Sequence, residues 1–253
     1  MRIITDNRDR WITGVALLLV VVGVGVVNNY TLTWGFLGIF YIIGFREALK
    51  LYEMESRNLQ YVAVLLWGVA YFYPNPDDLF FIVAVVVGAV VAYRRDEQSR
   101  GLILPFLYPM VGFLYILVLY REYGMEWLFW LLMVVALSDV GAFIVGKSIG
   151  ERPFSKTSPN KTLEGVLGGI ILATIGGTAL SYGMELVTIE VAVVLSALTS
   201  ISSIFGDLFE SYLKREAGVK DSGTLLPGHG GVLDRVDGYL FGAIVMVIVA
   251  RAI

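Results

Sequence analysis

Long apolar runs alternate with short polar segments along the whole chain. About 20 predominantly apolar residues cross a bilayer as a helix, fewer where flanking side chains snorkel or the bilayer thins. On that measure the pattern predicts nine membrane-spanning helices, at 11–28, 31–45, 59–73, 79–93, 101–120, 125–146, 164–182, 188–208 and 236–252. The expected fold class is an all-α polytopic membrane protein with about nine transmembrane helices. The segments between the spans are short, except for polar stretches at 147–163 and 209–235.

Composition supports the membrane reading. Hydrophobic residues make up 57% of the chain and mean hydropathy is +0.74, whereas soluble domains hold roughly 45–50% apolar residues. Positive charge fixes the expected orientation, because short cytoplasmic loops retain Lys and Arg during insertion. All but two of the 19 Lys and Arg fall at the N-terminus or in every second loop. They are Arg2, Arg8 and Arg10, then Arg46, Lys50 and Arg57, then Arg94, Arg95 and Arg100. Lys147, Arg152, Lys156 and Lys161 follow, and then Lys214, Arg215, Lys220 and Arg235. Only Arg121 and Arg251 lie on the other side, so the N-terminus is expected in the cytoplasm and the C-terminus outside.

Other classes are excluded by what is scarce. The net charge of -3 sits in loops and forms no basic face, so no nucleic-acid partner is implied. Without cysteine and with one histidine there is no disulfide, no thiolate metal site and no basis for structural zinc. Any metal should be a hard cation. The first apolar run is long and lacks a small-residue cleavage site, so it reads as a retained anchor rather than a signal peptide. No internal inverted repeat of the transporter kind is present.

Candidate chemistry starts in the sixth span, where Ser138 and Asp139 interrupt an apolar sequence. A carboxylate there must face the bundle interior, a cation or water, and a purely structural ion pair with Lys147 is the alternative to a functional role. Residues 155–162 then form a loop of hydroxyls with Lys156 and Lys161. Helix capping by Ser158, with Pro159 at the first helical position, would explain the hydroxyls but not two lysines. In the eighth span Ser200, Ser203, Asp207, Ser211 and Lys214 recur every three or four residues and so share one helix face, with Glu210 adjacent. A helix end surfacing into water explains Lys214 well and Asp207 poorly, which makes Asp207 a candidate metal ligand.

Between the last two spans, 211–237 reads SYLKREAGVKDSGTLLPGHGGVLDRVD. Lys214, Arg215, Lys220 and Arg235 are cations; Asp221, Asp234 and Asp237 offer hard oxygens. Gly228, Gly230 and Gly231 let the backbone turn tightly and present N–H groups to an anion. Asp234 and Asp237 are three apart and would share a face near the positive N-terminus of the ninth helix, where ordinary capping is the alternative.

This stretch resembles the signature of the phosphatidate cytidylyltransferase (CDP-diacylglycerol synthase) family. The matching positions are Ser211, Leu213, Lys214, Arg215, Lys220, Asp221, Gly223, Leu226, Pro227, His229, Gly230, Gly231, Asp234, Arg235 and Asp237. Asp139–Phe143 and Ser158–Gly165 look like two companion motifs, with Val140 where many relatives place a threonine. Residues 1–100 add only a hydropathy match.

The resemblance implies that CTP and phosphatidate give CDP-diacylglycerol and pyrophosphate with Mg2+; Mn2+ is the alternative ion, and a second metal ion is left open. It implies a single membrane domain, 1–253, in which 121–253 carries catalysis and 1–120 faces lipid or a second copy of a homodimer. Membrane lipid is a further partner, and the expected site is a bacterial cytoplasmic membrane with the active site facing the cytoplasm. The phosphatidate phosphate has its second ionisation at about pH 6 to 7, so it arrives largely deprotonated and needs no strong general base. Catalysis then reduces to holding two anions in line and neutralising charge.

On this reading Asp207 and Asp234 are the first-choice metal ligands, with Asp237 and Asp139 next. Asp207, Lys214, Asp234, His229 and Asp237 form the catalytic set. Lys156, Lys161, Ser211, Arg215, Lys220, Gly230, Gly231 and Arg235 would hold phosphates, with His229 a hydrogen-bond donor to CTP or to departing pyrophosphate. Two rivals stand beside it: the same reaction on an archaeal ether-lipid phosphate, and an ion-coupled transporter, which would explain Asp139 and Asp207 but not the dense cationic loop.

Overall fold

The computed structural model describes residues 2–54, 56–225 and 230–253, with side chains from residue 14 onward except at 97 and 98. Among the described residues the chain is all-helical with no strand. Its α-helices are α1 (Arg2–Val27), α2 (Tyr30–Leu51), α3 (Arg57–Phe72), α4 (Leu79–Arg94) and α5 (Glu97–Gly101), then α6 (Val111–Tyr123), α7 (Met125–Ile149), α8 (Leu163–Gly183), α9 (Ile189–Glu216) and α10 (Leu233–Ala252). Among the described residues six helical segments are long and apolar enough to cross a membrane: Tyr30–Leu51, Pro76–Arg94, Ser99–Tyr123, Met125–Ile149, Leu163–Gly183 and Ile189–Glu216.

Each of the nine expected segments falls on helical structure, but lengths and caps differ from the apolar pattern. The segment 101–120 is composite, with a π-helical stretch at Phe106–Met110 between α5 and α6. α9 runs 28 residues, well past its apolar run, because Ser211 to Glu216 continue the helix with polar side chains. The expected polar loop 209–235 therefore begins as helix. α3 has only 16 residues, and α10 opens on Asp234, Arg235 and Asp237, so neither qualifies as an apolar span by length and composition alone. The cap of α8 is Thr162, whose hydroxyl accepts from Gly165 N at 3.2 Å. Ser158 instead closes a turn, its carbonyl accepting from Lys161 N at 3.1 Å. Asn29, Ser56 and Asp96 cap α2, α3 and α5 with side-chain oxygens, as short polar residues do.

The chain forms two compact units, Met1–Leu117 with Glu216–Arg235, and Val118–Arg215 with Val236–Ile253. The first is built on aromatic contacts between α2 and α3. Trp34 and Trp67 each donate the indole N–H to the other's carbonyl, at 3.0 and 3.3 Å. Tyr41 packs on Trp67, Phe45 and Phe113. Further along α2, Gly44 admits Leu233, whose Cδ2 would lie 3.0 Å from an added Cβ.

In the second unit small residues set the helix spacing, as expected where lipid removes the hydrophobic drive between helices and close van der Waals packing takes over. An added Cβ on Gly141 of α7 would lie 2.8 Å from the carbonyl oxygen of Gly168 on α8. Gly206 of α9 meets α10 the same way, at 2.5 Å from the Asp237 carbonyl oxygen. The second approach places the carboxylates of two helices side by side.

Candidate active site

In the second unit α7, α9 and α10 bring Asp139 and Asp207 each within electrostatic range of Asp237. Asp207 is half-buried and ion-paired to the Lys161 ammonium. Its other oxygen accepts from Ser211 Oγ at 3.3 Å, one helical turn on. Asp237 accepts from Gly238 N at 2.8 Å through Oδ1 and lies beside Glu210. Glu210 in turn holds Lys214 at 3.1 Å in a buried i,i+4 pair, so this lysine is engaged within its own helix. Among the described residues no three acidic groups converge closely enough to ligate an ion as they stand.

The polar stripe of α9 divides in two. Ser200 donates to Ser138 Oγ at 3.0 Å, and Ser203 to the Ser200 carbonyl at 2.8 Å. Both serines are buried, so this half is a dry hydrogen-bonded seam between α7 and α9. Asp207 and Ser211 form the other half and are only partly covered.

Lys161 reaches Asp207 because the segment before α8 folds back on itself. Phe154 N donates to the Lys161 carbonyl at 2.7 Å, and Leu163 N to the Arg152 carbonyl at 2.8 Å. Glu164 anchors the turn by accepting from the backbone N–H of Glu151 and Arg152 and from Arg152 Nε, at 3.1, 3.2 and 3.2 Å. Lys156 stands exposed at the tip.

A cavity of about 480 Å3 opens beside this turn, lined by Asp139, Lys147, Asn160, Lys161 and Thr162, with Phe143, Val166 and Ile204 as apolar wall. The Lys147 ammonium lies 5.5 Å from the centre of the Phe143 ring, a cation–π contact. Two lysines, an amide and a hydroxyl beside the Asp139 carboxylate suit an anion together with its counter-cation, and the apolar wall suits a chain or a base.

The signature segment organises itself in the first unit. Asp234 Oδ2 accepts from Ser222 N at 2.9 Å, Ser222 Oγ at 3.0 Å and Gly231 N at 2.7 Å. Gly230 has φ +82°, where glycine carries no steric penalty, and a Cβ there would lie 2.5 Å from Asp234 Oδ2. Lys220, Asp221 and Arg235 are exposed on this segment, as Arg215 is at the end of α9. His229 lies outside the described residues, together with Leu226, Pro227 and Gly228.

One residue at this segment escapes the sequence reading. Glu47 of α2 is 5% exposed and accepts from Val232 N at 3.0 Å, Leu233 N at 2.9 Å and Ser222 Oγ at 3.1 Å. The signal was helical periodicity. The buried stripe Tyr41, Gly44, Glu47, Leu51 continues at spacings of three and four beyond the apolar run ending at 45.

Comparisons with known proteins place the sequence among relatives. The model of the cytidylyltransferase family matches residues 8–253. The phosphatidate cytidylyltransferase of Helicobacter pylori (strain J99) is 47% identical over 239 residues, covering 94% of this chain and 90% of the relative. That of Bacillus subtilis (strain 168) is 30% identical over 263 residues, covering 93% and 94%. A phosphatidate cytidylyltransferase of Synechocystis is 46% identical over 110 residues, covering 42% of this chain and 36% of the relative. With a match that runs almost from end to end and includes every helix carrying the acidic cluster, the chain belongs to the cytidylyltransferase family.

Proposed function

We propose that the protein transfers the cytidylyl group of CTP to phosphatidate, forming CDP-diacylglycerol and releasing pyrophosphate. The observation that carries this reading is the acidic cluster around Asp207, set beside a cavity with two ammonium groups and an apolar wall, in a chain whose relatives bear that activity in their names. A phosphatidate oxygen attacks the α-phosphorus of CTP, a new P–O bond forms, and the bond to the β-phosphate's bridging oxygen breaks as pyrophosphate leaves. The attacking oxygen is already deprotonated. The protein's task is to hold both anions in line and to offset their charge.

Lys147 and Lys161 line the cavity and would meet phosphate oxygens, while Lys220 and Arg235 present further cations on the signature segment. Asp234 shapes that segment through its three donors. Asp207, Asp237 and Asp139 are hard-oxygen donors of the type that Mg2+ or Mn2+ takes, and would have to draw together to share one ion. Asp207 and Asp139 both lie near Asp237, and a divalent cation would offset the charge that the three carboxylates bring together. Asp207 already holds a cation in the form of the Lys161 ammonium. A bound Mg2+ would supply charge neutralisation for the phosphates, and these three carboxylates are the residues that would hold it.

The same reading has nine crossings of the cytoplasmic membrane of a bacterium, with the N-terminus and the segments 147–163 and 209–235 on the CTP side and the C-terminus outside. The alternation of Lys and Arg supports it.

The test is pyrophosphate release by purified protein in detergent with Mg2+. CTP and phosphatidate together should give stoichiometric pyrophosphate and CDP-diacylglycerol, and neither alone should. An ether-linked lipid phosphate tests tail preference in a parallel arm. No turnover with any lipid phosphate would overturn the reading.

A further inference from the structure

We infer that Glu47 is a positioning residue of this transferase, which reaches from α2 to hold the signature segment on both sides of its glycine run. The inference rests on the reading of that segment as a holder of CTP phosphates.

A buried carboxylate costs several kcal/mol unless its oxygens are hydrogen-bonded, and this one is provided for at both oxygens. Oε1 accepts from Val232 N, and Oε2 from Leu233 N and Ser222 Oγ. Val232 and Leu233 lead into α10, where the helix N-terminus favours a negative charge. A local Ser or Asn would cap that helix just as well. The charge comes instead from 185 positions away along the chain, and it reaches Ser222 at the far side of the glycine run as well.

Two further observations tie Glu47 to the function of the segment. Ser222 has one hydroxyl proton to give and stands within hydrogen-bond distance of both Glu47 Oε2 and Asp234 Oδ2, at 3.1 and 3.0 Å. The hydroxyl therefore couples the two carboxylates. Gly223 and Gly231, both inside the signature, are also the positions where a Cβ would strike the Glu47 carboxylate. For Gly231 the separation from Oε1 would be 2.6 Å. The backbone of 222–223 and 231–233 is shaped around this side chain, and the exposed Lys220, Asp221 and Arg235 flank these residues in sequence.

Glu47→Gln keeps the shape and turns one accepting oxygen into a donor facing N–H or O–H groups. Leaving a buried donor without its acceptor corresponds to about tenfold or more. The expected result is a rise of that size in KM for CTP, with KM for phosphatidate held within about twofold. Ser222→Ala should give a smaller rise in the same constant, and the double variant should fall short of the product of the two, as coupled groups do. A merely structural glutamate would instead lower the folded fraction, reducing apparent kcat and leaving both KM values alone.

Unchanged KM for CTP in Glu47→Gln, or independent effects in the double variant, would overturn the inference. Should Glu47→Gln fail to fold, Ser222→Ala decides, with unchanged KM for CTP as the overturning result. Arg235→Ala in parallel separates the two levels. If it shifts KM for CTP and the Glu47 and Ser222 variants do not, only the role of Glu47 fails. If none of the three shifts it, the phosphate-holding reading fails and takes the inference with it.

Discussion

Lys161 forms an ion pair with Asp207, fastening the turn before α8 to the middle of α9. The two side chains are 28% and 29% exposed, so the pair stands where an incoming ligand can compete for either partner. Asp207→Asn should remove nearly all pyrophosphate release, a loss of about a hundredfold or more, because a site that works by charge placement loses one of its carboxylates. Lys161→Gln should keep more activity and raise KM for CTP. Comparable kcat in Asp207→Asn and the unsubstituted protein would remove Asp207 from the site.

Asp234 receives all three of its described donors on Oδ2, which separates shape from charge. Asp234→Asn can still present one oxygen to Ser222 and Gly231, whereas Asp234→Ala cannot. If the charge matters beyond the loop's shape, both variants should lose nearly all turnover while remaining monodisperse in detergent. Asparagine restoring most of the rate would assign Asp234 to loop shape alone.

Gly206 tests the helix contact that places Asp207 beside Asp237. A methyl group there would lie 2.5 Å from a backbone oxygen of α10, which cannot yield as a side-chain end could. Gly206→Ala should cost about 1–3 kcal/mol of stability, as overpacking does, and should lower activity with it. Gly68→Ala on α3 meets nothing within 4 Å and serves as the control with unchanged melting and turnover.

Chelation should abolish activity, and Mg2+ or Mn2+ should restore it, since carboxylate oxygens suit hard cations. Restoration should require more metal in Asp237→Asn, because one oxygen donor of the cluster has lost its charge. Full activity in excess EDTA would show that the cluster works without a metal.

The membrane orientation can be read by single cysteines, since the chain has none of its own. Thr224→Cys, exposed on the signature segment, should resist an impermeant thiol reagent in intact cells and react after lysis. Glu190→Cys, exposed at the start of α9, should react in intact cells. The reverse pattern would invert the topology.

Much of this protein could be read along the chain. Apolar runs long enough to satisfy every backbone group within one helix left little choice but an all-helical membrane fold. The reaction was legible too, because the stretch from Ser211 to Asp237 resembles the signature of a known family, and its cations, carboxylates and glycines suit a polyphosphate. Helix length and capping were less so. The polar end of α9 is helical through Glu216, and the cap of α8 is Thr162 rather than Ser158, because hydrogen-bond geometry decides where a helix begins and ends. Only the tertiary structure chose partners for the charges. It paired Lys161 with Asp207 and Lys214 with Glu210, brought Asp237 against Asp207 and Asp139, and set Glu47 under the signature glycines. A one-dimensional pattern records which residues are charged. Which charges meet depends on helix spacing and rotation, and here these are set by contacts of a few ångströms at Gly206, Gly44 and Gly141.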